Sequence, residues 1–245
     1  MTKKEKKQME KQAEALKKAR GKTTKVVTKK INRSFEKLAN SVKYEFETEA
    51  ITIDFKTFKK DLKGIIKLTY KITATEVINT VDTMYSLFEK VPHFPVIKDK
   101  ILNSYNEKKA AETVTKINEV TKNKINKIIT ERQSEGINAK QIAKEVKANV
   151  KGMTKDRSLT IARTETSKAS GYSMHELAKE TLVNTKIWMH VGGGKHHREN
   201  HIAMDGEERK LDEPFSNGLM YAHESGAEAR EVINCYCVTT YTFKV

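Results

Sequence analysis

Apolar residues recur at helical spacing from residue 27 to about residue 90. Between residues 27 and 42 they are separated by four, four, three and four residues, which places them on one face of a helix. These positions are Val27, Ile31, Phe35, Leu38 and Val42. A second helix is expected over residues 55–70. A third is expected to begin at Thr73, whose side chain can form a capping box with Glu76.

Two of the chain's three prolines, Pro92 and Pro95, predict a hinge or corner after these helices. Residues 97–135 contain neither Gly nor Pro and predict one long helix. Its apolar stripe consists of Ile101, Tyr105, Val114, Ile117, Val120, Ile125 and Ile128. Because the stripe is narrow, the helix should pack along a single neighbour, in the same chain or in another subunit of an oligomer.

Two more helices are expected before residue 181. Gly136 suits the C-terminus of the long helix. Asn138 and Gln141 suit the start of a short helix, which Gly152 should end. A further helix is expected over residues 154–180.

The sequence then changes from helical to strand-forming. Residues 187–191 predict a strand, Gly192–Gly194 a flexible loop, and residues 232–243 one or two further strands. The whole pattern predicts an α+β fold, in which an elongated, mainly helical N-terminal part is followed by a small β-rich C-terminal module.

Composition divides the chain into three parts. Residues 3–30 hold twelve Lys and Arg against three Glu and almost no large apolar side chains, so little surface can be buried there. We therefore expect residues 1–25 to form a basic arm, either a frayed helix or a disordered segment. Residues 26–130 would form a helical region that contains the long helix, and residues 131–245 an α+β domain.

The charge of the chain is strongly basic and unevenly distributed. The net charge is +15, and residues 181–245, with seven basic and nine acidic side chains, leave 40 basic and 23 acidic ones, a net +17, to residues 1–180. Such a field favours nucleic acid or an anionic surface over an acidic small molecule. The partner we expect is double-stranded DNA, bound through its phosphates without sequence preference. The alternative is a soluble, lysine-rich helical surface. The chain lacks an apolar run of roughly eighteen residues and a signal-peptide core, which predicts a cytosolic protein when made.

Histidines and the only two cysteines of the chain suggest a metal site. Cys235 and Cys237 are too close for an ordinary disulfide in a strand, where both sulfurs would lie on one face. With His197 and His201 they supply the four ligands of a structural zinc site. The alternative is that both cysteines are buried small side chains, with His201 hydrogen-bonded to Asp205 or to a backbone carbonyl.

Other polar residues leave several chemical interpretations open. Arg163 and Glu165 lie two apart on a predicted helix and point to different faces, so Arg163 is expected to reach a carboxylate such as Asp205 or Glu213. Glu165 is either a general base or, more simply, part of a helical salt bridge. His197 and His201 are four residues apart, as in a helical metalloprotease motif, but Glu199 lies midway between them instead of next to the first histidine. Trp188 is expected in the core.

An ordered series of motifs lies in the C-terminal half of the chain. Its residues are Arg163, Glu165, Trp188, Arg198, His201, Asp205, Gly206, Asn234, Cys235 and Cys237. The series resembles the pattern of the phage Mu protein F-like minor head protein family, in a match over roughly residues 130–245. The family pattern does not require His196, His197 or the Gly192–Gly194 run.

The resemblance implies a virion structural protein of a tailed phage head, assembled in the host cytoplasm and located in the virion interior near the portal. It implies portal, capsid or scaffold proteins as partners, and a role in head morphogenesis and in DNA packaging or ejection. It does not imply an enzymatic activity. The rival hypothesis is a metal-dependent hydrolase or nuclease in the C-terminal module.

Overall fold

The computed structural model of the chain describes residues 3–104, 107–181, 183–192 and 197–243. Some positions singled out in the sequence lie outside these residues, namely Tyr105, Gly193, Gly194 and His196. The helices are α1 (Lys3–Asn40), α2 (Phe55–Tyr85), α3 (Leu87–Lys90), α4 (Phe94–Ser104), α5 (Glu107–Ser134), α6 (Ala139–Glu180), α7 (Glu199–Ala203) and α8 (Ala229–Val232). The strands are β1 (Lys43–Glu45), β2 (Ala50–Thr52), β3 (Thr185–Met189), β4 (Glu208–Lys210) and β5 (Val238–Tyr241). The predicted α+β fold class is confirmed.

The chain forms two compact units, each assembled from segments that are distant in the sequence, and the three parts expected from composition stay a prediction. Unit 1 comprises residues 1–25, 69–105 and 163–245. Unit 2 comprises residues 26–68 and 106–162. Composition reports local charge and hydrophobicity, whereas these units are defined by contacts between distant segments. None of the described helices is both long and apolar enough to cross a membrane.

Unit 2 is built around apolar helix faces. The five positions from Val27 to Val42 are all buried, and the first four, up to Leu38, confirm the predicted face of α1, which ends before Val42. The Phe35 ring packs against the Phe58 ring of α2 with centroids 4.9 Å apart. Arg157 of α6 donates to Thr121 Oγ1 of α5 at 3.0 Å. Strands β1 and β2 form an antiparallel hairpin in this unit, in a segment to which the sequence pattern assigned no element.

In unit 1, the N-terminal part of α1 is helical and has a buried face instead of forming a frayed or disordered arm. The few apolar side chains in this segment lie on that face, namely Met9, Ala13, Leu16 and Ala19. Gln12 lies among them, and its amide accepts a hydrogen bond from the backbone N–H of Tyr241 at 2.8 Å and donates to the Tyr241 carbonyl at 3.2 Å. The side chain therefore satisfies backbone groups of β5, an edge strand, which a purely apolar residue could not do.

The sheet of unit 1 has three antiparallel strands in the order β4-β3-β5. The predicted strand at residues 187–191 is confirmed as β3, which lies at the centre. Of the predicted strand region 232–243, only β5 is a strand, because the first residue belongs to α8 and a turn follows it. The central position of β3 buries both of its faces, including Lys186, Ile187 and Trp188.

Two predicted helix boundaries are wrong. Thr73 does not cap a third helix but lies buried within α2, which runs without interruption. Threonine hydroxyls along α2 bond back to carbonyls four residues earlier, as Thr80 does to Glu76 at 2.6 Å. Gly152 does not end a helix either, since α6 continues through it. An exposed glycine costs a helix only about 1 kcal/mol, which buried neighbours offset.

Other predicted boundaries are confirmed. Gly136 follows α5 with a φ of +75°, and the next amide, that of Ile137, bonds to the Arg132 carbonyl at 3.1 Å, as in a Schellman motif. Asn138 caps α6 by accepting from the Gln141 N–H at 3.0 Å.

The proline-containing segment does interrupt the helices, and α2 ends ahead of it. The left-handed Ser86, with φ at 55°, follows α2 and precedes α3. The long helix over residues 97–135 stays a prediction, because α4 and α5 cover it on both sides of residues 105 and 106, which are not described.

Candidate metal centre

Three of the four ligand candidates from the sequence converge in unit 1. The ligand atoms of His201, Cys235 and Cys237 all lie within 4.8 Å of one another. His201 Nδ1 is 3.4 Å from the Cys235 sulfur and 3.6 Å from the Cys237 sulfur. All three side chains are buried. One imidazole nitrogen and two thiols in this arrangement could hold a soft or borderline metal ion.

The two cysteines approach each other in a different way from the one that the sequence suggested. They lie in the segment between α8 and β5 and not on a strand. Asn234 has a left-handed conformation with φ at 53°, which turns the chain immediately before Cys235. Asn is one of the few residues that adopt this conformation readily. The turn brings the sulfurs together, so the strand argument was wrong although the convergence that it predicted is present.

His201 is oriented by a carboxylate. It lies on α7, and its Nε2 is 2.8 Å from Glu231 Oε2 of α8. Burial alone lowers the pKa of His201, but hydrogen bonds to Cys235 and Glu231 outweigh burial and raise it. Burial has the opposite effect on Glu231 and raises its pKa. The contacts of Glu231 with His201 and with the side-chain amides of Asn217 and Asn200 outweigh burial, so its pKa is lowered. The alternative partners considered for His201, Asp205 and a backbone carbonyl, are thus replaced by Glu231.

Each thiol affects the pKa of the other. A hydrogen bond from Cys237 lowers the pKa of Cys235 well below that of an ordinary thiol, against the effect of burial, and His223 and His201 also lower it. The same hydrogen bond, with burial, raises the pKa of Cys237. Thiolate is the form of cysteine that binds metals.

His197, the fourth predicted ligand, is not part of this group. It is exposed, and its Nδ1 lies 3.1 Å from Nε2 of His190. The other nitrogen of His190, Nδ1, lies 3.5 Å from the Cys237 sulfur. The position next to the cysteines that the sequence assigned to His197 is thus occupied by His190.

Two buried basic side chains contact backbone carbonyls of the segment between α8 and β5 that contains both cysteines, called the cysteine segment below. Arg20 of α1 donates to the carbonyls of Cys237 at 3.1 Å and Tyr236 at 2.9 Å. Burial lowers the pKa of Arg20 to about 10, and the two cysteines oppose this by stabilising its charge. His223, also buried, places its Nε2 3.1 Å from the Cys237 carbonyl.

Aromatic rings form a wall beside the site. Trp188 is fully buried, as predicted, and its ring is edge-on to His201 at 5.0 Å and to Phe215 at 5.3 Å. Lys186, on the same strand, extends over Phe215 and donates to the carbonyls of Leu211 at 3.0 Å and Met220 at 2.7 Å. Burial lowers the pKa of Lys186 to about 8. The contacts of Trp188 and Lys186 hold the segments that surround the candidate metal site.

The other family-motif residues of this region shape the backbone. Arg198 donates to the carbonyls of Arg230, which lies in α8, and of Ile233, which follows it. Asp205 accepts from the backbone N–H of His190 at 2.7 Å. Gly206, with φ at +81°, turns the chain and donates to the Trp188 carbonyl at 2.8 Å. Together with Asn234, these residues place α7, α8 and the end of β3 around the site.

Arg163 and Glu165 lie on α6, and they do not pair with each other. The Arg163 guanidinium lies over the Tyr236 ring at 5.8 Å. The carboxylates expected for it have other partners, since Asp205 binds the His190 amide and Glu213 lies 3.6 Å from Lys210. Glu165 is buried and pairs with Lys168 at 2.8 Å, which agrees with the helical salt bridge.

Sequence reasoning missed His190, Arg20 and Glu231. His190 follows Trp188 by two residues, so strand alternation puts it on the face of the core tryptophan, and this signal was present in the sequence. Arg20 is the only arginine among the twelve basic residues of positions 3–30, and arginine is favoured where one side chain must bind two acceptors. Glu231 carried no signal of this kind.

One family of known proteins matches the segment that contains the site. The family model described as Phage Mu protein F like protein matches residues 123–240. This range includes every residue of the site except Arg20. No significant match was found among curated proteins or among solved structures. Over residues 123–240 the chain is thus similar to the phage Mu protein F-like family, and this similarity is consistent with a phage head morphogenesis protein.

Proposed function

We propose that this chain is a minor head protein of a tailed phage, a virion structural component that acts in head morphogenesis near the portal. The observation that carries the proposal is the family match over residues 123–240. The family is one of structural head proteins, which suggests a non-enzymatic role. In this proposal the protein is made in the host cytoplasm, enters the head with portal, capsid or scaffold proteins as partners, and lies in the virion interior.

We further propose that the protein binds double-stranded DNA without sequence preference and contributes to DNA packaging or ejection. Support comes from the net +17 of residues 1–180 and from the exposed face of α1. The exposed lysines of its first 25 residues are Lys3, Lys4, Lys6, Lys7, Lys11, Lys18, Lys22 and Lys25. A row of lysines along a helix can neutralise phosphates without contacting base edges.

An oligomer that forms through the long predicted helix belongs to the same proposal. Val114 and Ile125 of α5 are buried within unit 2, whereas Val120 is 47% exposed. A second copy would therefore use Val120 and its surroundings and leave the buried part of the stripe in place.

The head role is tested in the phage that encodes the chain. Deleting the gene should give defective heads, and expression of the chain from a plasmid should restore them. The protein should be present in purified wild-type heads, and a density map should place it beside the portal. Normal heads without the gene product would contradict the proposal.

The DNA role is tested by substitution, because truncating α1 would also remove the buried Gln12 and Arg20. We expect replacement of Lys3, Lys4, Lys6, Lys7, Lys11 and Lys18 by Gln to reduce the salt dependence of DNA binding. If all six lysines contact phosphates, the slope of log K against log salt should fall by about 5. The matched control replaces six exposed lysines of unit 2, namely Lys116, Lys124, Lys140, Lys144, Lys151 and Lys155. An unchanged slope in the α1 variant would show that this face is not the DNA contact.

The same assay separates the alternative function, a metal-dependent hydrolase or nuclease. That alternative is considered because His201, Cys235 and Cys237 could hold a metal. It requires chelator-sensitive cleavage of DNA, RNA or peptide by the wild-type chain. Binding without turnover supports the structural role.

A further inference from the structure

The two nitrogen–sulfur separations among the buried donors match edges of a zinc tetrahedron. With Zn–S near 2.3 Å and Zn–N near 2.0 to 2.1 Å, a tetrahedral ion places its sulfur and nitrogen ligands about 3.5 Å apart. His201 Nδ1 lies 3.4 Å and 3.6 Å from the two sulfurs. The imidazole nitrogen is therefore already at the spacing from both sulfurs that a zinc ion requires.

We propose that the chain binds one structural zinc ion through His201 Nδ1 and the sulfurs of Cys235 and Cys237, with His190 as the fourth ligand. The proposal does not depend on a role in the phage head. It differs from the ligand set that the sequence suggested, because His190 replaces His197.

The hydrogen bonding of His201 supports metal binding over simple burial. With the Nε2 proton donated to Glu231 at 2.8 Å, the lone pair of Nδ1 points toward the sulfurs. A carboxylate behind a ligating histidine is the usual arrangement at zinc sites, where it fixes the tautomer and the ring orientation. Glu231 is itself held by Asn217 at 3.3 Å and Asn200 at 3.4 Å.

His190 is placed to complete the tetrahedron. Its Nδ1 is 3.5 Å from the Cys237 sulfur, the separation expected of two ligands of the same ion. The Nε2 of His190 is 3.1 Å from Nδ1 of His197, so the second ring nitrogen of His190 also has a side-chain partner. The Asp205 carboxylate anchors its backbone. His190 lies outside the tight group of three, so binding requires its ring to move toward Cys235 and His201.

His223 is the competing fourth ligand. It is buried, and its side chain interacts with Cys235 and lowers the pKa of that thiol. Its Nε2, however, is tied to the Cys237 carbonyl at 3.1 Å, on the side of the segment that Arg20 also contacts. His190 is the stronger candidate because one of its ring nitrogens already lies at ligand spacing from a sulfur.

The surroundings indicate a structural ion and not a catalytic one. Catalytic zinc keeps one position open for water or substrate, whereas structural zinc is closed by four protein ligands. Here the three central donors are 1%, 7% and 2% exposed. The cavity that the described residues form beside them has a volume of about 10 Å³, room for about one water molecule. The ion would join α7, the cysteine segment and the end of β3. These segments contain only short helices and strands.

Zinc and cobalt titrations of the untagged full chain test the proposal. After the protein is stripped with a chelator, one equivalent of zinc should bind and raise the melting temperature. Cobalt(II) in the same site should give the strong visible bands of a tetrahedral ion and near-ultraviolet charge-transfer bands from two thiolates. Failure of the wild-type chain to bind zinc, or a weak octahedral cobalt spectrum without sulfur bands, would overturn the proposal.

Variants then assign the ligands. Cys237→Ser should halve the sulfur charge-transfer intensity, and Glu231→Gln should weaken zinc binding by about 10- to 100-fold without changing the number of thiolates. His190→Gln should weaken binding and alter the cobalt ligand-field bands, whereas His223→Gln should leave those bands unchanged. The reverse result for these two histidines would overturn the assignment of His190. The exposed His93, changed to Asn, is the matched control, and an equal loss in His93→Asn would also overturn the assignment.

Discussion

In unit 2 the least exposed side chains are mostly apolar and come from helices at regular spacing, whereas around β3 of unit 1 many are polar. Phe35, Leu62 and Ile66 typify the first region, and Lys186, His201 and His223 the second. Apolar burial is non-directional and roughly proportional to area, so many side chains of similar volume satisfy it. A buried polar group instead requires particular partners.

The difference implies different sensitivities to mutation. In unit 2 the cost of a substitution should depend on the volume that it removes. Around β3 it should depend on whether a specific donor or acceptor loses its partner, and it should vary with pH where that group titrates. Three substitutions test this contrast, beginning with the largest expected effect.

Phe35→Ala should lower the free energy of unfolding by about 3 to 5 kcal/mol. The Phe35 ring is fully buried, contacts Phe58 and lies under the Arg157 guanidinium at 5.8 Å, so truncation leaves a cavity between helices of unit 2. Chemical denaturation measures the change. Phe46 is 85% exposed, and Phe46→Ala should stay within about 0.5 kcal/mol of the wild-type chain. Similar small losses in both variants would remove the basis for treating unit 2 as held by apolar volume.

The second test concerns pH and the buried His175 of α6. Its ring stacks on Tyr221 at 4.7 Å and lies near the Tyr241 hydroxyl, and burial, aided by the charges of Lys179 and Lys186, lowers its pKa to about 3. The folded pKa is thus below the unfolded value near 6.5. The stabilisation that comes from neutral His175 is present above pH 6.5 and is lost as the pH falls toward 3.

Between pH 7 and pH 5 this linkage should cost the wild-type chain about 2 kcal/mol that His175→Gln does not lose. Denaturation curves of the two proteins at each pH measure the difference, which cancels the shared titration of carboxylates. His93→Asn, at an exposed site, should follow the wild-type curve. Parallel pH profiles for wild type and His175→Gln would mean that His175 is protonated within the folded protein.

The same contrast explains what the sequence could predict. The face of α1 from Val27 to Leu38 was predicted correctly because each position repeats the same requirement for apolar burial. The C-terminus of α5 at Gly136 was predictable because the backbone conformation there selects glycine. The N-terminus of α6 at Asn138 was predictable because helix capping selects particular residues. Such signals are local, and tertiary packing did not alter them.

Boundaries that depend on tertiary packing were not predictable in this way. The helices α2 and α6 continue through Thr73 and Gly152 because burial on both sides offsets weak local stop signals. Residues 3–25 looked too polar to pack, yet a thin apolar face and two polar side chains, Gln12 and Arg20, join them to the β-rich part of unit 1.

The sequence predicted which residues form the candidate site more accurately than how the chain brings them together. His201 and the two cysteines converge, as expected, but through a left-handed turn at Asn234 and not through a strand face. The choice between His190 and His197 depends on side-chain orientation at the end of β3. Strand alternation from Trp188 favours His190, whereas ligand spacing alone favoured His197.

The smallest expected effect is that of Lys186→Met, which keeps the length of the side chain and removes its charge. Two carbonyls, those of Leu211 and Met220, lose a donor, at a cost of roughly 1.5 to 3 kcal/mol for hydrogen bonds to a charged group. Release of a buried ammonium, whose pKa burial lowers to about 8, offsets part of this. We expect a net loss on the order of 1 kcal/mol at pH 7, where the lysine is charged. Lys210 on the neighbouring strand β4 is the matched control, because its side chain is 74% exposed and Lys210→Met should change stability by less than about 0.5 kcal/mol. A more stable Lys186→Met protein would show that the region around β3, like unit 2, is held by apolar volume alone.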